Sequence, residues 1–388
     1  MILTLLCLLL AGCKPVPLEA PPDPTDPTTD SGLATHTHGL PGIVTPTTEV
    51  LRLGTGTEST VCMGPNGRWM AAWRDGDTLL GAVHDADASL LASLTPDVAT
   101  GIPGPPQLSW SGAEWHYAAH SDTAPRTQAY DLDGNPTAES TPLLLPSDEL
   151  PVAIALDTDP NFEGHLIWST GPALRHGRFG WPADLVQNPT ETEPTLSDAT
   201  FGAPTLHAGS DHYVAAWFES NDSETRLWTR RIGFDGQLLS PPLEVTAEPL
   251  ALPDARPRIA MDPSGRFAVA WQAATGVTLR IIGWDDTPLT TEIPLDPTGT
   301  GRDVAVANHH DTLVAVWTEE VDGLRSVYAQ SWLMTMGLAI TEPVVLATGP
   351  AMGVEIDLTD VDHEGFGVLT WTDGADVWAQ PFNVSHGN

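Results

Sequence analysis

Lysine is almost missing from this chain: it occurs once, as Lys14, in 388 residues. The other basic residues are arginines, and against 51 acidic residues they leave a formal net charge of −35. Contacts to phosphate need clustered Lys and Arg, so nucleic acid is excluded as a partner. Docking on anionic lipid by charge is excluded on the same ground. Cysteine is scarce too, at Cys7, Cys13 and Cys62. No stretch shows helical periodicity, and no apolar run is long enough to cross a bilayer as a helix. What the chain has in quantity is Gly (35), Pro (36) and Trp (14), with 41% hydrophobic residues. Such a composition suits a turn-rich, all-β protein with a sizeable core.

The start of the chain carries an address. MILTLLCLLLAGC is a short apolar run that ends in small residues, as a secretory signal does, though without a basic start. Leu10-Ala11-Gly12-Cys13 resembles the lipobox of bacterial lipoproteins. The resemblance implies cleavage before Cys13, with acyl chains added to its sulfur and amine. Several acyl chains anchor a protein stably where one does not. By the same resemblance Lys14, with no aspartate after the cysteine, favours the outer membrane. With Cys7 removed and Cys13 lipidated, Cys62 has no intrachain partner and reads as a small buried residue. Residues 14–46, rich in Pro, Thr and Asp, cannot bury enough surface to fold and read as a disordered tether. The domain reading is a signal peptide over 1–12, a tether over 13–46 and a folded body over 47–388. His36 and His38 in the tether are a lone pair, insufficient for a metal site.

The body repeats itself. GRWMAAW at 67–73 recurs as DHYVAAW at 211–217, GRFAVAW at 265–271, DTLVAVW at 311–317 and GFGVLTW at 365–371. Anchored on Trp73, the series continues through His120, Trp168, Trp217, Trp271, Trp317 and Trp371, about fifty residues apart. Each unit opens with a short alternating strand such as STVCMG or PRIAMD. A turn of Gly, Asn or Asp leads to the Trp-bearing strand, then come a third strand and a plainer fourth. Seven such units predict a seven-bladed β-propeller of four-stranded blades. The seventh unit stops short of its fourth strand, and TTEVLRLG at 47–54 precedes the first unit. The N-terminal strand is therefore expected to close the last blade, leaving no open edge. The Trp at the fixed position is expected to fill the wedge between neighbouring sheets. The whole is similar to propeller-type repeats of bacterial secreted proteins and lipoproteins.

Chemistry is harder to find. Asp262 to Trp271 is the nearest string to a sialidase-type Asp box and lacks its Ser and Thr spacing. Ala155-Leu156-Asp157-Thr158 matches only the start of the docking repeat of quinone-dependent propellers. Asp131, Asp133, Asp285 and Asp286 fall in hairpin turns, which explains them without a metal. His309-His310-Asp311 is another turn, and Asp357, Asp360, Asp362, His363 and Glu364 form an acidic cluster near the last blade's first hairpin. Arg226, Arg230 and Arg231 form the one local basic cluster, with alternation sending Arg230 and Arg231 to opposite faces and ion pairs as their expected partners. Tyr117, Tyr130, Tyr213 and Tyr328 hold recurring strand positions. No catalytic residue, metal ligand or cofactor site is assigned, and Cys13 is the one functional residue. The resulting expectation is a monomeric, lipid-anchored envelope propeller that binds a protein or glycan without catalysis. The alternatives are an outer-membrane assembly scaffold and a polysaccharide hydrolase or lyase with its site at the channel mouth.

Overall fold

A computed structural model describes residues 44–385. It leaves out 48, 97–104, 120–123, 144, 146–150, 160–162, 181–183, 186–189, 193–194, 247–255, 297, 350–355 and 359–364. Cys13, His36, His38, His120, Asp360, Asp362, His363 and Glu364 therefore lie outside the described residues.

Alternating β-branched and small apolar residues, cut by Gly and Asp turns, give seven antiparallel sheets. The first strands of blades 1 to 7 are Thr57–Met63, Gln107–Trp110, Ala153–Thr158, Thr205–Ala208, Arg258–Met261, Arg302–His309 and Ile356–Leu358. The Trp-bearing second strands follow, for example Trp69–Asp75, His212–Ser220 and Phe267–Ala273. Fourth strands are short, and in blade 3 the place is shared by Asp184–Leu185 and Thr190–Thr192. The protein is an all-β, seven-bladed propeller, as the repeat predicts.

Closure works as expected and starts earlier. Leu51–Thr55 pairs with Asp376–Val384, the third strand of blade 7. Val44–Pro46 also pairs with it, from Val44 opposite Val384 to Pro46 opposite Phe382. The sheet thus takes in the last three residues assigned to the tether. Pairing there runs through the backbone, which the Pro- and Thr-rich pattern does not advertise.

Seven clusters of buried apolar residues join the blades, one for each neighbouring pair. Within each blade, alternate residues of the second strand face opposite neighbours. Trp73, Trp168, Trp217, Trp271, Trp317 and Trp371 all face the preceding blade and are almost wholly buried. Large aromatic area at a fixed position fills the gap left where flat sheets splay apart around a ring. Blade 2 departs from the series in a way the sequence misassigns. Trp110 pairs with Trp115 as Ala208 pairs with Tyr213, so Ala119, not His120, is the equivalent of Trp217. The bulk moves four residues back, to Trp115.

Turn chemistry holds the hairpins. The Asp131 carboxylate accepts the backbone N–H of Asp133 and of Asn135, and Gly134 N–H donates to Asp131 O. Gly134 has φ +80°, and a Cβ there would sit 2.6 Å from that of Ala92 in blade 1, so both conformation and packing demand glycine.

Candidate binding site

The first strands run side by side around the ring axis and line a central cavity of about 390 Å³. Residues of blades 1 to 6 contribute, from Pro105 and Arg256 at the starts of their strands to Met63 and Ala208 at the ends. The cavity therefore runs along the axis, from the face of the blade-to-blade loops to the face of the first hairpins. Cys62 lines it and packs against the core cluster of blades 1 and 2, half-buried where the sequence suggests full burial.

Asp157 is the carboxylate among the described lining residues. Its Oδ1 accepts from Ser109 Oγ of blade 2 (2.7 Å) and from Thr158 N–H (2.8 Å), and its Oδ2 from Ala208 N–H of blade 4 (2.6 Å). Thr158 Oγ1 in turn donates to Trp110 O at 3.0 Å. One side chain thereby ties three blades together along the channel wall. Burial pushes its carboxyl above the ordinary aspartate value, while His207 and the three donors act in the opposite direction. Two arginines, Arg256 and Arg258, line the same cavity. Arg256 Nη2 donates to Ile154 O at 3.0 Å, reaching past blade 4 to blade 3.

A second cavity of about 310 Å³ opens among the hairpins of blades 4, 5 and 6. Ser210, Asp262, Asn308, His309 and His310 contribute to it, and it shares His207 and Ala208 with the channel. The two cavities adjoin at these residues. His309 and His310, singled out as a turn, lie with ring centres 4.7 Å apart in this wall. Asp311 is turned away: it accepts from Thr335 N–H (3.0 Å) and pairs with Arg266 (3.1 Å).

The basic cluster divides as alternation predicts. Arg226 pairs with Glu224 (2.8 Å) and Glu244 (3.1 Å) near the surface. Arg230 Nε donates to Ser240 O (2.7 Å). Arg231 turns into the interface with blade 5, pairs with Asp286 (2.6 Å) and donates to the carbonyls of Gly265 (3.0 Å) and Gly283 (2.8 Å). Its Nη1 faces His212 Nε2, so that nitrogen accepts and Nδ1–H points to Asp211. None of the three lines either cavity. Asp357 stands on the first strand of blade 7. Pattern reading missed Asp157, His207, Arg256 and Arg258 as site residues. For the arginines a signal existed, since residues two apart on a strand share a face.

No protein-family model matches the chain, and no curated protein matches it. Solved structures do match in shape. An ulvan lyase, described as a new family of polysaccharide lyase, superposes with TM-score 0.58 at 8% identity, covering 87% of this chain and 96% of its own. The same lyase family solved bound to -[GlcA(1-4)Rha3S]- gives 0.55 at 8% identity over the same shares. A protein of unknown function from Dyadobacter fermentans DSM 18053 gives 0.51 at 10% identity, over 88% of this chain and 98% of its own. At such identities the likeness is one of fold.

Proposed function

We propose that this propeller is a cell-envelope binding module that holds an acidic glycan in its central passage and is anchored to the outer membrane through lipid on Cys13. The observation that carries the reading is the axial cavity itself. It is polar, about 390 Å³, and lined by two of the chain's few arginines, Arg256 and Arg258. Guanidinium groups present paired donors to carboxylate or sulfate, and each charge-assisted bond contributes about 1.5–3 kcal/mol. The described carboxylate there, Asp157, is committed to three donors from its own and two other blades. Glycoside hydrolysis uses two carboxyl groups across the scissile bond, so binding accounts for this lining better than hydrolysis does.

A lyase is the second reading, and one observation favours it. β-Elimination from a uronate needs a cation on the carboxylate and a base for the adjacent proton. Arg256, Arg258 and His207 line one cavity and offer both. The scaffold alternative finds support in the fold alone.

Titration calorimetry of the full chain with uronate oligosaccharides, and with neutral oligosaccharides of equal length, tests the proposal. Uronates are expected to bind and Arg256→Gln/Arg258→Gln to weaken them by about tenfold or more, the equivalent of one charge-assisted bond. Equal affinity for neutral chains, or no loss in the variant, sinks it. Appearance of an unsaturated, ultraviolet-absorbing product in the same samples, abolished by His207→Ala, selects the lyase. In cells, Cys13→Ser is expected to release the protein from the membrane fraction.

A further inference from the structure

Eleven large apolar side chains are exposed among the described residues, and five of them share one place. Leu239, Trp284, Leu289 and Met336 stand on the connections that follow the third strands of blades 4, 5 and 6, and Leu338 begins the short strand Leu338–Ala339 beyond the last of them. Trp284 is 70% exposed. The three blades are in contact here. Arg231 of blade 4 bonds Gly283 and Asp286 beside Trp284. A Cβ on Gly337 of blade 6 would sit 2.1 Å from the Thr290 methyl of blade 5. Trp284 also lies against the hairpin of blade 5: its Cβ is 3.9 Å from where one on Gly265 would be. Asp262 and Pro263 of that hairpin border the second cavity. Exposed apolar side chains therefore stand on the same three blades as this cavity, with Trp284 beside the hairpin that borders it.

Clustered apolar exposure of this kind marks an interaction surface, since isolated exposed residues are ordinary and a patch is not. Trp and Met are the side chains enriched at interface centres. The charge around the patch selects the occupant. Asp211, Asp235 and Asp285 are exposed on the same connections and hairpins. A second copy of this chain brings another −35 and is repelled. The chain's own 14–43 segment brings Glu19, Asp23, Asp26 and Asp30 against one Lys14 and is repelled as well. A neutral sugar stacks on Trp284 but leaves Leu239, Leu289, Met336 and Leu338 uncovered.

We infer that the hairpin face of blades 4 to 6 docks a basic protein segment with apolar anchors. The anchors pack around Trp284, Met336 and Leu338, and one enters the second cavity. Lys and Arg of the partner meet Asp211, Asp235 and Asp285, which steers the encounter and sets its orientation. This surface is separate from Arg256 and Arg258 and stands whether or not the passage holds a glycan.

A library of random peptides displayed on phage and selected on the full-length protein tests the inference. Selected sequences should combine Lys or Arg with Trp, Phe or Leu. Synthesised and dye-labelled, they should bind with an affinity that falls as salt rises. Trp284→Ser/Met336→Ser should weaken them by about tenfold or more, as loss of interface anchors does. The same exchange at exposed Leu90 and Leu91 on blade 1 should leave them unchanged. Unaltered thermal midpoints establish that the variants are folded. Selection of acidic or uncharged polar peptides, no enrichment, or full binding by the double variant overturns the inference. Displacement of the peptides by neutral oligosaccharides overturns it too and assigns the face to glycan.

Discussion

Arg231 brings a permanent charge into the seam between blades 4 and 5 and is accommodated because every direction of its fork meets an acceptor. Asp286, Gly265 O, Gly283 O and His212 Nε2 surround the guanidinium, and Phe267 lies beneath it with its ring centre 5.0 Å away. Removing such a charge leaves its partners buried and unpaired, so Arg231→Met is expected to cost about 3 kcal/mol. Arg231→Lys should fall between, because an ammonium cannot reproduce the fork. Arg226→Ala should change little, its two ion pairs being near the surface. Urea midpoints of the three variants check the order. Equal effects at Arg231 and Arg226 would refute the assignment. The sequence revealed that Arg230 and Arg231 part company. It held no sign of which one enters the ring, because that depends on Gly265 and Gly283, more than thirty residues away.

Strands show the same division between pattern and partner. The Trp phrase identified the second strands because burial on both faces leaves a dense apolar signature. Fourth strands are short, interrupted by Pro and bonded mainly through the backbone, so their limits were least legible. Blade 3 divides its fourth strand in two, and the closing strand begins at Val44 instead of 47. A chain starting at Thr57 should therefore expose the edge of Asp376–Val384. Hydrogen exchange is expected to accelerate in 366–384 and the urea midpoint to fall. A synthetic peptide of residues 44–56 added in trans should restore protection. Unchanged exchange in the truncated chain would mean that the closing strand contributes no stability.

Across the molecule, acid acts in two opposing ways. Lowering the pH neutralises carboxylates and relieves the self-repulsion of a chain at −35. It also charges histidines that the fold keeps neutral. Burial pushes His165 and His116 down to about 3 and His176 to about 4, from 6.5, and lowers His84 as well. Such groups have a folded pKa below the unfolded one, so the unfolded chain takes the proton first. Their contribution is complete above pH 6.5 and is lost as pH falls from there toward 4 and 3. His165 and His176 bond each other at 3.1 Å in the seam of blades 3 and 4. His165→Gln/His176→Gln should flatten the fall of the thermal midpoint between pH 6.5 and 4, against the wild type in the same buffers. Parallel curves would show that the pair does not govern acid stability. At this scale the ring was legible from its period, whereas the passage was not. Asp157, His207, Arg256 and Arg258 come from separate repeats and meet only when the blades close.

That closure also sets an order in time. Val44 pairs with Val384, so the first strand of the ring is bonded to the strand that follows all the other blades. Until residue 384 is available, blade 7 has no complete sheet and the seam between blades 7 and 1 is open. Joining ends so far apart carries a large loop-closure cost that no local contact offsets. Closure of the ring is therefore expected to follow formation of the blades, and a chain cut short before residue 384 is expected to present bare strand edges for a protease to find.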